Sequence, residues 1–166
     1  FDEKADEALF VALRNTFTEN WMAAEQEGCD DPAPIFIIGQ PRTGTTLLER
    51  IITSHSDVEA AGELQQFGLA SFRVSGGAKR GRWSPEAIAS YGKADAKAIG
   101  AEYIRASTPM RGKAVRFVDK LPGNYLLAPL IAKALPHARI LHLVRDPMDS
   151  CFSSYKQLFA DAYLHS

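Results

Sequence analysis

The chain has 166 residues, 46% hydrophobic and 23% charged, with a formal net charge of −1. That length suits one domain with a real hydrophobic core. The near-zero charge excludes a global field for nucleic acid or an anionic membrane, so any anion chemistry must come from locally placed cations.

Cys29 and Cys151 lie far apart and match no metal-ligand spacing, so neither a disulfide framework nor a metal centre is expected. No apolar run approaches the ~20 residues that span a bilayer, and no secretory signal is legible. The chain opens on Phe1 without a Met, which suggests that an upstream segment was removed. A reducing, cytoplasmic setting is the default expectation.

In chain order, residues 3–27 read as one amphipathic helix with Leu9, Leu13, Phe17, Trp21 and Ala24 in a stripe, stopped by Gly28. The stretch from Asp31 to Pro34 is a short linker. Ile35–Ile38 is a continuous apolar run of strand length, as expected where both faces are covered. A helix over 45–54 follows, with Leu47, Leu48, Ile51 and Ile52 inward. A short strand over 57–60 leads through Gly62 and Glu63 to a helix near 64–72. Residues 75–83 form a glycine-rich basic loop, and Ser84-Pro85 opens a helix with an N-cap serine and a first-turn proline. A helix over 94–107, a strand over 115–119, an apolar helix over 124–135 and a strand over 139–144 come next. Asp146-Pro147 starts the last helix, to about Phe159. Strands alternating with helices predict an α/β fold, a mostly parallel sheet with helices on both faces. Four strands are few for this class, and the sheet is expected to be incomplete at its C-terminal end.

The stretch Gly39–Thr46, GQPRTGTT, has the glycine spacing of a phosphate-binding loop between a strand and a helix. A nucleotide triphosphatase would carry lysine where Thr45 stands. The cation inside this loop is Arg42, whose planar fork suits several oxygens of one anion. Thr43, Gly44, Thr45 and Thr46 supply backbone N–H groups and hydroxyls at the first helical turn.

Ligands of open α/β sheets sit beyond the C-terminal strand ends. Those ends carry Arg42, Glu63, Lys120 and Arg145: three cations and one carboxylate, a set that suits transfer of an anionic group with a single base. On the last helix Ser150, Ser153, Ser154 and Gln157 form a polar stripe, and Cys151, Phe152, Tyr155 and Phe159 an apolar one. A serine stripe alone reads as a solvated face. Its pairing with Arg145, eight residues before Ser153, makes it a candidate phosphate bracket.

PRTGTT (41–46) and RDPMDSCFS (145–153) together resemble the two signatures of sulfotransferases that use 3′-phosphoadenosine-5′-phosphosulfate. The closest likeness is to the tyrosylprotein-sulfotransferase-like group, including bacterial relatives fused to helical repeats. It spans about residues 33–160 of a single domain that also includes the N-terminal helix of residues 1–30. The resemblance implies that the first motif, with Arg42, Thr43, Gly44, Thr45 and Thr46, holds the 5′-phosphosulfate, and that Arg145 and Ser153 hold the 3′-phosphate. It implies Glu63, in AAGE, as catalytic base, with Glu59 as the rival. Lys120, in VDKLPGN, falls where the family places a catalytic lysine. As an ordinary lysine it is a cation at neutral pH and a stabiliser rather than a base. Small-molecule sulfotransferases have a histidine base in a comparable H-L-P setting. Here the sequence is Lys120-Leu121-Pro122, which moves the base role to Glu63.

The expected partners are a sulfuryl-donor nucleotide and an acceptor hydroxyl on peptide tyrosine, a glycan or a small molecule, with no nucleic acid. Oligomeric state is left open. A P-loop kinase and a non-catalytic nucleotide-binding module are the alternatives; the first lacks its lysine. His55, His137, His142 and His165 have no ligand-spaced partner. Lys79, Arg80 and Arg82 read as a solvated loop.

Overall fold

The structure, a computed structural model, describes residues 3–77 and 81–156. Its elements are α1 (Glu3–Thr16), α2 (Glu19–Ala23), β1 (Pro34–Gly39), α3 (Thr45–Ile52), β2 (Val58–Gly62), α4 (Gln66–Val74), α5 (Pro85–Tyr91), α6 (Ala96–Ser107), β3 (Arg116–Asp119), α7 (Ala128–Ala134), β4 (Arg139–Leu143) and α8 (Pro147–Tyr155). Short 3-10 turns cover Thr108–Met110 and Pro122–Leu127.

The four strands form one all-parallel sheet in the order β2-β3-β1-β4. β1 is buried along its whole length, as its unbroken apolar sequence requires for a central strand. Its side chains alternate between two cores. Phe36 and Ile38 enter a large core with Leu9 and Leu13 of α1, Phe67 of α4, Tyr91 of α5, Ile99 and Tyr103 of α6, and Leu130 of α7. Ile35 and Ile37 join Val118 in a small core covered by Leu48 and Ile52 of α3. Burying each large apolar side chain contributes about 1.5–3 kcal/mol, so most of the stabilisation lies on the first face.

The sheet and its two-sided helical cover agree with the sequence expectation, and three local expectations are corrected. The single N-terminal helix is broken, because the Thr18 hydroxyl accepts from Trp21 N at 3.2 Å and caps a new helix. The apolar stripe nonetheless continues across the break, with Phe17 and Trp21 in edge contact at 4.9 Å. The helix expected over 124–135 begins as a 3-10 turn and becomes α7 only at Ala128, with Pro129 in its first turn, where a missing N–H does no harm. On α3 only one of two apolar columns faces the sheet: Leu48 and Ile52 pack, whereas Leu47 and Ile51 are 65% and 60% exposed. Ser84 caps α5 as expected, accepting from Ala87 N. The expectations for Gln157, Phe159, His165, Lys79 and Arg80 fall outside the described residues.

Candidate active site

The glycine-rich loop leaves β1 at Gly39. A Cβ there would lie 2.6 Å from the Leu143 carbonyl oxygen of β4, so only glycine fits between these strand ends. Gly44, at φ 102°, turns the chain into α3 without a side-chain cap, so the first-turn N–H groups have no capping side chain and carry the positive end of the helix dipole. Between them Arg42 has φ 70°, the one positive value outside glycine among the described residues. Thr43 braces the loop, its hydroxyl donating to the Gln40 carbonyl at 2.8 Å. Thr45 is buried and Thr46 exposed.

β4 is hydrogen-bonded beside β1, with Gly39 paired to Leu143, so the turn after β4 emerges next to this loop. Asp146 accepts from Met148 N and Asp149 N and thereby caps α8. Arg145 Nη1 donates to the Arg42 carbonyl at 3.1 Å, and its Nη2 lies 3.6 Å from Asp149 Oδ2. Arg42 Nε in turn donates to Ser153 Oγ at 3.3 Å. Two motifs more than a hundred residues apart thus meet at one corner of the sheet. Within α8 the polarity is inverted: Ser150, Ser153 and Ser154 are partly covered, while Phe152 and Tyr155 are 62% and 89% exposed.

At the other two strand ends Lys120 Nζ donates to Glu63 Oε1 at 2.5 Å. Lys120 is buried, at 8% exposure, whereas Glu63 is exposed. Gly62, at φ 83°, turns the chain toward Glu63, and its carbonyl accepts from Lys120 N at 2.9 Å. Glu59 lies inside β2 rather than at a strand end, and its carboxylate accepts from Ala114 N, in the turn before β3, at 3.4 Å. Burial raises the Tyr125 phenol above its ordinary range, opposed by the nearby Gln40 side chain of the glycine-rich loop.

Sequence reasoning missed Asp119, the last residue of β3. Its carboxylate is fully buried and accepts from Tyr103 Oη at 3.0 Å, Leu64 N at 3.2 Å and Leu121 N at 3.3 Å. The Asn124 amide approaches the same carboxylate without reaching full hydrogen-bond geometry. Burial pushes the Asp119 carboxyl up to about 7 against these donors. The available signal was an acidic residue at the buried end of an apolar strand, where a carboxylate needs dedicated partners.

A family model described as the sulfotransferase family matches residues 34–165. The chain belongs to the sulfotransferase family. The matched stretch contains both motifs, all four strands and the Glu63–Lys120 pair. An uncharacterized protein of Aquifex aeolicus (strain VF5) is 37% identical to this sulfotransferase chain over 131 residues, which is 76% of the chain and 17% of that protein. The chain therefore spans about a sixth of the length of this curated relative. No solved structure matches it. Among the described residues of this family member, no helix is long and apolar enough to cross a membrane. Nor do three or more His, Cys, Asp or Glu side chains gather there as a metal site would require.

Proposed function

We propose that the protein transfers a sulfuryl group from 3′-phosphoadenosine-5′-phosphosulfate to an acceptor hydroxyl, with Glu63 as general base. The observation that carries this reading is the meeting of Arg42, Arg145 and Ser153 at the ends of β1 and β4. Two guanidinium groups, a hydroxyl and an uncapped helix N-terminus offer enough donors for two anionic groups of one nucleotide. A γ-phosphate loop would need a lysine where Thr45 is buried.

In the reaction, the acceptor oxygen bonds to sulfur as the bond from sulfur to the bridging phosphate oxygen breaks. Glu63 takes the hydroxyl proton and later returns it to water. Lys120, paired with Glu63, stabilises negative charge that grows on the sulfuryl and bridging oxygens. Arg42 and the first-turn N–H groups of α3 hold the 5′-phosphosulfate, and Arg145 and Ser153 hold the 3′-phosphate. Peptide tyrosine, glycan and small-molecule hydroxyls all fit a base as exposed as Glu63.

Calorimetry with adenosine 3′,5′-bisphosphate tests the donor site. Arg145→Ala should weaken binding by about 10- to 100-fold and Ser153→Ala by less, as expected for losing a charged and a neutral hydrogen bond. Unchanged affinity in both variants would refute the 3′-phosphate assignment. Labelled donor incubated with mixed acceptors tests turnover, and tight bisphosphate binding without any transfer would favour a non-catalytic module.

A further inference from the structure

We propose that Asp119 is a positioning residue for transfer, its Oδ1 clamping together the two backbone amides that follow Glu63 and Lys120. The proposal rests on the reading of Glu63 as base and goes one layer deeper than it. Glu63 and Lys120 lie on separate loops, one leaving β2 and the other β3. The β2–β3 ladder is irregular at its end, with a register shift between Ala60 and Gly62. Its last bond in this direction is Lys120 N to the Gly62 carbonyl. One residue further along each loop, Leu64 N and Leu121 N both donate to the single oxygen Asp119 Oδ1, at 3.2 and 3.3 Å. The carboxylate therefore continues the pairing of the two chains past the point where backbone alone can do so.

The other oxygen anchors the clamp. Asp119 Oδ2 accepts from Tyr103 Oη, and the Tyr103 ring is fully buried between Phe36, Phe67 and Phe117, with centroids 5.3, 5.6 and 6.4 Å away. Burial and the Asp119 carboxylate raise the Tyr103 phenol well above its ordinary range, which keeps it a donor. An ionisable carboxylate with no exposure is costly to bury. A clamp that keeps a half-exposed base against a buried cation is a physical reason to retain it. Reaction geometry is sensitive at this scale, since a displacement of about 1 Å at a catalytic group can cost about 100-fold in rate.

The test compares Asp119→Ala and Asp119→Asn in the full chain. Amide exchange at Leu64 and Leu121 by NMR reads the clamp directly; labelled-donor turnover and calorimetry with adenosine 3′,5′-bisphosphate read its consequences. Asp119→Ala should speed exchange at both amides and lower kcat by about 10- to 100-fold, with bisphosphate affinity changed less than about 3-fold, within the scatter of a site it does not touch. Asp119→Asn keeps an acceptor oxygen for both amides and should restore slow exchange and most of the rate. In a Glu63→Gln background, Asp119→Ala should add little further loss, because the clamp acts through Glu63. A folded Asp119→Ala variant with wild-type kcat overturns the proposal, as does Asp119→Asn being equally impaired. If Asp119→Ala does not fold, Tyr103→Phe decides: it removes only the anchor, and unchanged exchange and kcat overturn the clamp. A wild type that transfers nothing defeats the sulfuryl-transfer reading itself, whereas an active wild type with a fully active Asp119→Ala defeats the clamp alone.

Discussion

The Glu63–Lys120 pair and the Arg42–Arg145–Ser153 cluster stand at opposite sides of one row of strand ends and are built differently. The first is braced: Lys120 is buried, its backbone bonds to Gly62, and a fully buried carboxylate ties the next residue of each loop. The second is open, made of exposed arginines joined by contacts of 3.1 to 3.6 Å to a carbonyl, a hydroxyl and a carboxylate. On the proposed assignment, the difference separates two tasks. Proton removal requires fixed geometry before the acceptor arrives. Holding phosphate oxygens tolerates side chains that exchange protein partners for ligand, because a guanidinium keeps its charge throughout.

Glu63→Gln should separate the two clusters most clearly. It removes the proposed base and should lower kcat by about 10²- to 10⁴-fold, while bisphosphate affinity stays near wild type; turnover and calorimetry measured together check this. An equal loss in both would mean that the two clusters are not functionally separate.

The braced side also predicts a pH effect on stability. With its carboxyl at about 7 in the fold against an ordinary 3.8, Asp119 holds a proton more tightly folded than unfolded between those values. Its contribution is fully present below about pH 4 and is lost as pH rises through 7, a change on the order of a few kcal/mol. Glu102 has the opposite sign: hydrogen bonding from Arg105, seconded by Arg73, lowers it to about 2, so its contribution is lost as pH falls toward 2. Urea melts from pH 4 to 8 should show a slope that Asp119→Asn flattens. A slope unchanged by that substitution would remove the linkage.

The smallest effect is expected at Leu47 and Ile51, which α3 turns to solvent. Leu47→Lys should change stability by less than about 0.5 kcal/mol, against about 2–5 kcal/mol for Leu130→Ala in the large core. Thermal melts distinguish them, and a large loss at Leu47 would show that this face is covered in solution.

Much of the architecture was legible because the central strand is a pure apolar run and the loops carry glycine and proline at their turns. Leu47 and Ile51 were misplaced because helical period alone does not choose between adjacent apolar columns; the narrow lower face of the sheet needs only Leu48 and Ile52. The break at Thr18 was hidden because its stripe survives the break. Each cation and the carboxylate at the strand ends could be read from sequence. Their sorting into an arginine corner and a Glu–Lys pair depended on strand order, which places β4 beside β1 and β2 beside β3. The role of Asp119 was hidden for a related reason: two of its three hydrogen-bond donors, Tyr103 and Leu64, reach it only through tertiary structure, and only Leu121 is local.

Arg42 holds its charge on a backbone that L-residues resist, at φ 70°, a conformation that costs a non-glycine residue about 1–2 kcal/mol. Glycine would relax the turn and, after allowance for its freer unfolded chain, leave a modest stability gain. It would also delete the guanidinium. Selection for thermal tolerance alone should therefore drift this position toward glycine, and selection for turnover should hold it at arginine. Position 42 is a place where evolutionary pressure on the two properties pulls in opposite directions, and a library screened both ways would show it as a fork in the surviving codons.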